Sequence, residues 1–358
     1  MESVYKYGFE FHVLSKEENS PAGQLTKFET AGDWNDEDCL KRFSASCDII
    51  TLENEFIDFQ KIKFLECTRK KVYPSSEIIK LIQDKYFQKK TLEKNGIPVA
   101  EFVSIVSSDD IRRFAKKYNY PLVLKSRTMG YDGKGNLTIN NEKEIEDALK
   151  KLSKRGETMC EGFVRFDKEI ATQVARNKYG EIKVYPVVET IQKNHICNLV
   201  IASKNLFDNI KSQVTEIATK IVTDLDYIGV MGIEMFLTGD EILVNELAPR
   251  VHNSGHYTIE GCYTSQFENH IRAIMNFPLG NSEMSSDNAV MINILGKRDG
   301  KAKLTGAEET LCNDKTYLHI YGKNETQTGR KMGHITVMNK DPIQALKIAI
   351  ESERSISI

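Results

Sequence analysis

The stretch Gly232 to Thr258, G-I-E-M-F-L-T-G-D-E-I-L-V-N-E-L-A-P-R-V-H-N-S-G-H-Y-T, decides how the chain is read. Two apolar runs flank the turn Thr238-Gly239-Asp240, the pattern of a β-hairpin. A hairpin symmetric about Asp240 sets Glu234 directly opposite Glu246 on one face. Like charges so placed repel, so the pair needs a neutralising partner. Two hard oxygen ligands suit Mg²⁺, with Mn²⁺ as the alternative. Arg250, His252 and Asn253 follow at once, which sets an anion-binding loop beside the cation site, an arrangement suited to phosphate chemistry. Two glutamates at this spacing most often decorate a solvated hairpin. The string P-R-V-H-N-S-G-H-Y-T gathers more polar side chains than an ordinary loop carries, and that reverses the reading.

Upstream of the hairpin, Leu206 to Leu225 has the spacing of an amphipathic helix, and Met159 to Ile201 alternates like β-structure around the turn Lys178-Tyr179-Gly180-Glu181. Phe102 to Arg155 runs strand, helix, strand, glycine-rich loop, strand, helix, a small α/β lobe. One helix is expected from an N-cap at Ser75 or Ser76, through Ile78, Ile79, Leu81, Ile82, Tyr86 and Phe87, to the stop signals Gly96 and Pro98. Before it, a strand from Phe9 to Leu14, a helix near Asp36 to Phe43 and a strand from Asp48 to Leu52 make a βαβ pattern and predict a parallel sheet. Downstream come a helix from Thr264 to Met275, short strands around Met291, Leu318 and Ile335, and a last helix from Asp341.

A chain of 358 residues exceeds one hydrophobic core and should divide into two or three domains. A hydrophobic share of 40% and a charged share of 28% are those of a soluble globular protein. The net charge of −2 implies no broad attraction to nucleic acid or anionic membrane. No apolar run reaches membrane-spanning length, and the seven scattered cysteines form no C-x-x-C pair, so neither a zinc site nor a disulfide framework is expected. The cytoplasm is the expected compartment.

Lys125 ends the buried-type strand P-L-V-L-K and is followed by T-M-G-Y-D-G-K-G-N. Glycines 130, 133 and 135 let backbone N–H groups close on phosphate oxygens, and Lys125 adds a point charge. The loop is not a Walker A motif, because no G-K-[S/T] precedes a helix. Lys85 is a further phosphate candidate. Glu161 to Val164 (Glu161, Gly162, Phe163, Val164) and Glu169 straddle a strand end, where backbone groups can read a nucleobase and a carboxylate can hold ribose hydroxyls. Near the C-terminus Lys323, Arg330 and Lys331 form a basic cluster suited to a phosphate monoester. His12, His195 and His270 have no partner pattern and read as structural or surface residues.

Together, Y-P-S-S-E-I-I-K-L-I-Q-D-K-Y-F-Q-K, L-K-S-R-T-M-G-Y-D-G-K-G-N, G-I-E-M-F, N-E-L-A-P-R-V-H-N-S-G-H-Y-T-I-E and Y-G-K…R-K-M-G-H-I resemble the 5-(carboxyamino)imidazole ribonucleotide synthases, ATP-grasp ligases of de novo purine synthesis. The resemblance runs from about Phe9 to beyond Ile335. It implies an α/β ATP-grasp fold in three parts: a Rossmann-like pre-ATP-grasp domain over 1–82, an ATP-grasp domain over 83–280 with its small lobe at about 100–157, and a β-rich C-terminal domain over 281–358. ATP would be held by Lys85, Lys125, the loop with Gly130, Gly133, Lys134 and Gly135, then Glu161 to Val164, Glu169, Gln192, Asn245 and Glu246. Glu234 and Glu246 would carry the metal. Arg250, His252 and Asn253 would place bicarbonate, and Asp132 would count with them as catalytic. Glu53, Tyr131 and Asp132 would face aminoimidazole ribonucleotide, and Lys323 and Arg330 its phosphate.

The glycine-rich loop is then expected to be a lid. A homodimer is expected, as is a separate mutase acting on the product, because the chain ends too soon for the mutase domain fused to some relatives. Two departures stand out. The family's opening strand with its G-G-G-Q-L-G-type loop is missing ahead of Phe9, so the first domain is expected to lack a strand. Gln192 replaces a common histidine, and its amide still donates. Two rivals remain: a ligase using formate or an amino acid, and a truncated nucleotide-binding protein without turnover.

Overall fold

The computed structural model describes residues 2–128, 130, 135–193 and 196–358. Its centre is a nine-stranded sheet in the order Glu241–Ala248, Gly229–Thr238, Lys168–Arg176, Val188–Lys193, Ile196–Ser203, Asn288–Leu295, Lys331–Asn339, Thr316–Ile320, with Ile182–Val184 added beside Lys168–Arg176. The helix Lys211–Asp224 covers one end of it. Val214, Ile217, Ala218, Ile221 and Val222 are its buried positions, one stripe of a 3.6-residue repeat, and they pack on Val174, Met231, Ile233 and Val244. Each valine or isoleucine among them contributes about 1.5–3 kcal/mol on burial, so this contact fixes where the hairpin lies.

The sheet crosses the expected boundary at 280. Ile201 pairs with Val290, and Leu199 with Ile292, so Asn288–Leu295, Lys331–Asn339 and Thr316–Ile320 extend the central sheet, while Gly300–Lys301 and Glu325–Thr326 pair as a separate two-stranded ladder. An unpaired apolar edge at Ile196–Ser203 would be a liability, and pairing removes it. A second, four-stranded antiparallel sheet (Phe102–Ile105, Thr158–Gly162, Leu122–Ser126, Asn136–Ile139) carries the helices Ser108–Tyr118 and Ile145–Leu152 and forms the small lobe.

Three expectations need correction. The single helix from Ser75 is two helices, Ser76–Gln83 and Lys85–Lys94. Asp84 takes an extended backbone between them and caps the second through Tyr86 N and Phe87 N, a geometry a short carboxylate favours over helix continuation. The strand expected from Phe9 is only Val13–Ser15. Phe9 packs instead against Phe277, with ring centroids 6.1 Å apart, and Tyr7 donates to Glu268 at 2.7 Å, which docks the N-terminal segment on the helix Gln266–Met275. The N-terminal parallel sheet is two separate pairs, Val13–Ser15 with Glu29–Ala31 and Ile49–Thr51 with Lys71–Tyr73. No ladder joins the pairs among the described residues.

His270 ties this N-terminal part to the centre. Its Nδ1 accepts from Val230 N at 3.1 Å, which leaves Nε2 as the protonated nitrogen, donating to Thr51 Oγ1 at 2.8 Å. His195 lies outside the described residues. Among the described residues no helix is long and apolar enough to cross a membrane.

Burial pulls His270 down to about 4. The unfolded chain therefore takes up a proton near pH 6.5 that the folded His270 refuses until about pH 4. The stability this supplies is complete above pH 6.5 and is lost as pH falls toward 4. Thermal denaturation across that window should show a falling Tm. In His270→Leu the fall should be shallower, and stability at neutral pH lower by about 1–3 kcal/mol. An unchanged acid slope would refute this role.

Candidate active site

Glu234 pairs directly with Glu246, but not through a turn centred on Asp240. Thr238 pairs with Glu241, so the turn is the two-residue loop Gly239-Asp240, and that register runs on to Met235 opposite Val244. Continued, it would set Glu234 opposite Asn245. A bulge at Asn245 shifts the pairing by one residue and turns both carboxylates to the same face. Ladder pairs can therefore be read from the turn only as far as the bulge.

The two carboxylates stand in a cleft of about 2310 Å³. Pockets for one small molecule run to roughly 300–1,000 Å³, so this one has room for more than one ligand. Burial raises Glu234 most, Glu246 and Glu169 add to it, and Lys85 and Lys331 offset only part, leaving its pKa at about 7. Water still reaches the group from the open cleft, since its side chain is 30% exposed. Glu246 is compensated by Lys85, whose Nζ lies 2.6 Å from Oε1. Gln88 clamps the lysine's helix to the same strand, accepting from Leu247 N at 3.2 Å.

These groups fit a hard divalent cation. Carboxylates crowd until one is driven toward its neutral form, and oxygen is the only donor type they offer. No set of three or more His, Cys, Asp or Glu side chains with ligand geometry occurs among the described residues. Mg²⁺ needs only one or two protein carboxylates where substrate phosphates and water fill its other positions, and Glu234 and Glu246 are two such groups.

Lys125 and Glu161 border the same cleft. Glu161 is buried: its side chain is 4% exposed and takes Lys125 Nζ at 2.9 Å. Gly162, Phe163, Val164, Glu169, Gln192 and Asn245 also line the cleft. Phe166 and Phe236 stack there at 4.7 Å and 9°, an apolar slab that alternation alone did not single out. At the base of the glycine-rich loop a side chain at Gly135 would put its Cβ 2.8 Å from Gly130 Cα, so only glycine lets the two ends close. Tyr131, Asp132, Gly133 and Lys134 lie outside the described residues.

The loop after the hairpin is held rigidly. Gln266, fully buried, accepts from His252 N at 2.9 Å and donates to His252 O at 2.7 Å. Gly232 lets it approach, since a Cβ there would meet His252 Cβ at 2.5 Å. His252 reaches Glu234 at 3.4 Å. It does so as a neutral ring, because burial first, then Arg250, Lys331 and His256, depress its pKa well below the usual histidine range. It therefore offers a hydrogen bond and not the charge an anion-binding reading gives it. Burial opposes the charge of Arg250, but bonds to Glu55 outweigh this. Glu55 is a partner that sequence reading missed, although it lies two residues after Glu53. Asn253 exchanges amide bonds with Asn293 at 2.9 and 2.8 Å.

Glu53 and Lys323 line the far end of the cleft with Lys331. Burial lowers the pKa of Lys323, Arg330 adds to this, and Glu53 opposes it. Arg330 itself is exposed, does not line the cleft, and gives Nη1 to Glu325 O at 2.9 Å. The basic cluster is thus split, two lysines facing the cleft and the arginine outside it. His319 stacks on His334, and His256 lies tilted against the same ring, a group scattered too widely in the sequence to be read as one.

A small four-stranded lobe, a large sheet and carboxylates paired on two strands of that sheet define an ATP-grasp protein. The ATP-grasp domain model matches residues 90–267. A ribonucleotide synthetase preATP-grasp domain matches 1–83, and a phosphoribosylaminoimidazole carboxylase C-terminal domain matches 289–347. The crystal structure of N5-carboxyaminoimidazole ribonucleotide synthetase from Thermotoga maritima superposes with a TM-score of 0.89 at 43% identity, covering 99% of this chain and 94% of that one. N5-carboxyaminoimidazole synthase from Aspergillus clavatus, in complex with ADP and 5-aminoimidazole ribonucleotide, gives 0.88 at 34% identity, over 99% and 94%. Phosphoribosylaminoimidazole carboxylase from Ogataea methanolica is 38% identical over 95% of this chain, which spans 64% of that relative's length. The chain belongs to the N5-carboxyaminoimidazole ribonucleotide synthase family.

Gly232→Ala should force His252 away from Glu234 and cost about 1–3 kcal/mol. Thermal denaturation reads the cost, and the His252 imidazole resonances in NMR should move. If neither changes, the close approach does not set the loop.

Proposed function

We propose that the protein carboxylates 5-aminoimidazole ribonucleotide to 5-(carboxyamino)imidazole ribonucleotide, consuming ATP and bicarbonate and giving ADP and phosphate, in purine biosynthesis. The observation that carries this is one continuous cleft with Glu234 opposite Glu246 on its floor, Lys85 and Lys125 on one side, and Lys323 and Glu53 on the other. Family membership and the ADP and ribonucleotide bound by the Aspergillus relative support it. We propose the same three-part division, 1–82, 83–280 and 281–358, as functional units, together with a homodimer and a separate mutase that takes the product.

Glu234 and Glu246 would hold Mg²⁺, which would neutralise the negative charge of the phosphate groups. Lys85 and Lys125 exchange their carboxylate partners for phosphate oxygens. The adenine lies along Glu161 to Val164, with Glu169 near the ribose and Gln192 donating. Arg250, His252 and Asn253 orient bicarbonate so that its oxygen attacks the γ-phosphorus and ADP leaves. The carboxyphosphate formed delivers its carbon to the exocyclic amine, either directly or as CO₂. The C–N bond forms, the C–O bond to phosphate breaks, and the departing phosphate takes the amine's proton. Glu53 and Asp132 hold that amine, and Tyr131 and Lys323 position the ribonucleotide. Gly130, Gly133, Lys134 and Gly135 close over the phosphates. Positioning and exclusion of water account for most of the rate.

ATP hydrolysis should require bicarbonate and rise on adding aminoimidazole ribonucleotide. Glu246→Gln should fold normally and lose about a hundredfold or more in turnover. Activity with formate or an amino acid in place of bicarbonate would reject this ligase, and nucleotide binding with no turnover would reject catalysis altogether.

Lys323→Ala, removing a charge-assisted bond worth about 1.5–3 kcal/mol, should raise KM for the ribonucleotide roughly tenfold or more and leave KM for ATP unchanged. Arg330→Ala should do much less, because its guanidinium lies outside the cleft. Equal losses from the two variants would place Arg330 at the phosphate after all.

A further inference from the structure

Behind the phosphate side of the cleft stands a charged group with no task in the reaction above. Lys89 follows Lys85 by one helical turn on the helix Lys85–Lys94, on the same stripe. Lys85 reaches the cleft and Glu246, whereas Lys89 does not border the cleft, and its side chain is 2% exposed. Its ammonium lies 3.5 Å from Glu161 Oε1 and makes no hydrogen bond, and that oxygen makes none either. Glu161 Oε2 meanwhile holds Lys125 Nζ at 2.9 Å. One buried carboxylate thus faces two ammonium groups, one close and bordering the cleft, the other loose and enclosed.

The energetics of that trio are lopsided. Burial pulls Lys89 down to about 8, and Glu161 holds it up against the repulsion of Lys125 and Lys85. Burial alone would raise Glu161, yet Lys125 and Lys89 together bring its pKa below the usual value. Leaving a buried carboxylate with no cation is strongly unfavourable. A wall with a single lysine would therefore hold Lys125 on Glu161 and away from any other anion. Closing the loose contact to an ordinary hydrogen bond needs a shift of only about half an ångström.

We propose, on the basis of the nucleotide site described above, that Lys89 is a positioning residue: a fixed second counter-ion for Glu161 that releases Lys125 to a polyphosphate. Lys125 leaves for a phosphate oxygen, the Lys89 ammonium closes on Glu161, and the carboxylate stays ionised and paired throughout. The two lysines give the trio a net positive charge, which a phosphate oxygen neutralises.

The test uses the full-length protein and calorimetric titration with adenosine and with a non-hydrolysable ATP analogue. In Lys89→Met, Kd for the analogue should rise about tenfold or more while Kd for adenosine stays the same, and KM for ATP should rise with kcat little changed. Lys89→Met/Glu161→Gln should recover most of the analogue affinity, because a neutral amide does not retain Lys125. A structural role would weaken both ligands alike and give no recovery. Should Lys89→Met not fold, Glu161→Gln and the double variant should bind the analogue within about threefold of each other, since Lys89 has no task once Glu161 is neutral. Wild-type affinity in Lys89→Met, or a double variant far weaker than Glu161→Gln, overturns the proposal. A wild-type protein that binds neither ligand overturns the nucleotide site itself.

Discussion

Two carboxylates are forced together across the hairpin, and much of the surrounding structure answers that repulsion. Glu234 and Glu246 face each other because the strand bulges at Asn245. Lys85 meets one of them at 2.6 Å, and the neutral ring of His252 approaches the other at 3.4 Å. The helix that carries Lys85 starts where it does because Asp84 breaks and caps it, and Arg127 from the small lobe fixes Asp84 with a contact at 2.6 Å. The lobe, the helix and the hairpin are thus joined through charged groups at the point where a phosphate ligand would enter.

A common arrangement recurs along the cleft. Lys85 rests on Glu246, Lys125 on Glu161, and Arg250 on Glu55. Each of these three cations is thus paired with a carboxylate within the protein, and binding an anion there becomes an exchange of partners. Exchange lowers the net gain from each new contact, because the released carboxylate must find water, a metal or another cation. It also keeps the cations in place and ionised, which favours ligands carrying several negative charges and dense oxygen donors. The buried pair at Glu161 is the demanding case, since water cannot reach the carboxylate easily.

Rigidity around the reacting centre comes from buried amides and from close backbone approach. Gln266 holds both the N–H and the carbonyl of His252, Asn293 holds Asn253, and Gln88 holds the strand bearing Glu246. All three supporting residues are buried, so each bond forms where water does not compete. Gln266 and Asn293 stand in none of the strings that carry the resemblance, which is why motif reading passes over them.

The sequence by itself determined the hairpin, the order of elements in the small lobe, the long amphipathic helix before the hairpin and the family. Each rests on a local signal: alternation in Gly232–Ala248, periodic apolar positions in Lys211–Asp224, or a dense polar string after Glu246. The N-cap residues Asp36, Ser265 and Asp341 mark their helices for the same reason, since a cap is satisfied within its own turn. Tertiary structure alone decided the bulge at Asn245, the split of the helix at Asp84, the merging of three C-terminal strands into the central sheet, the burial of Glu161 and Lys89, and the exposure of Arg330 beside a half-buried Lys323. These depend on partners far away in the chain. A charge is paired, buried or exposed according to what the fold places beside it, and pairing energies between residues such as Glu55 and Arg250 leave no trace in the spacing of either.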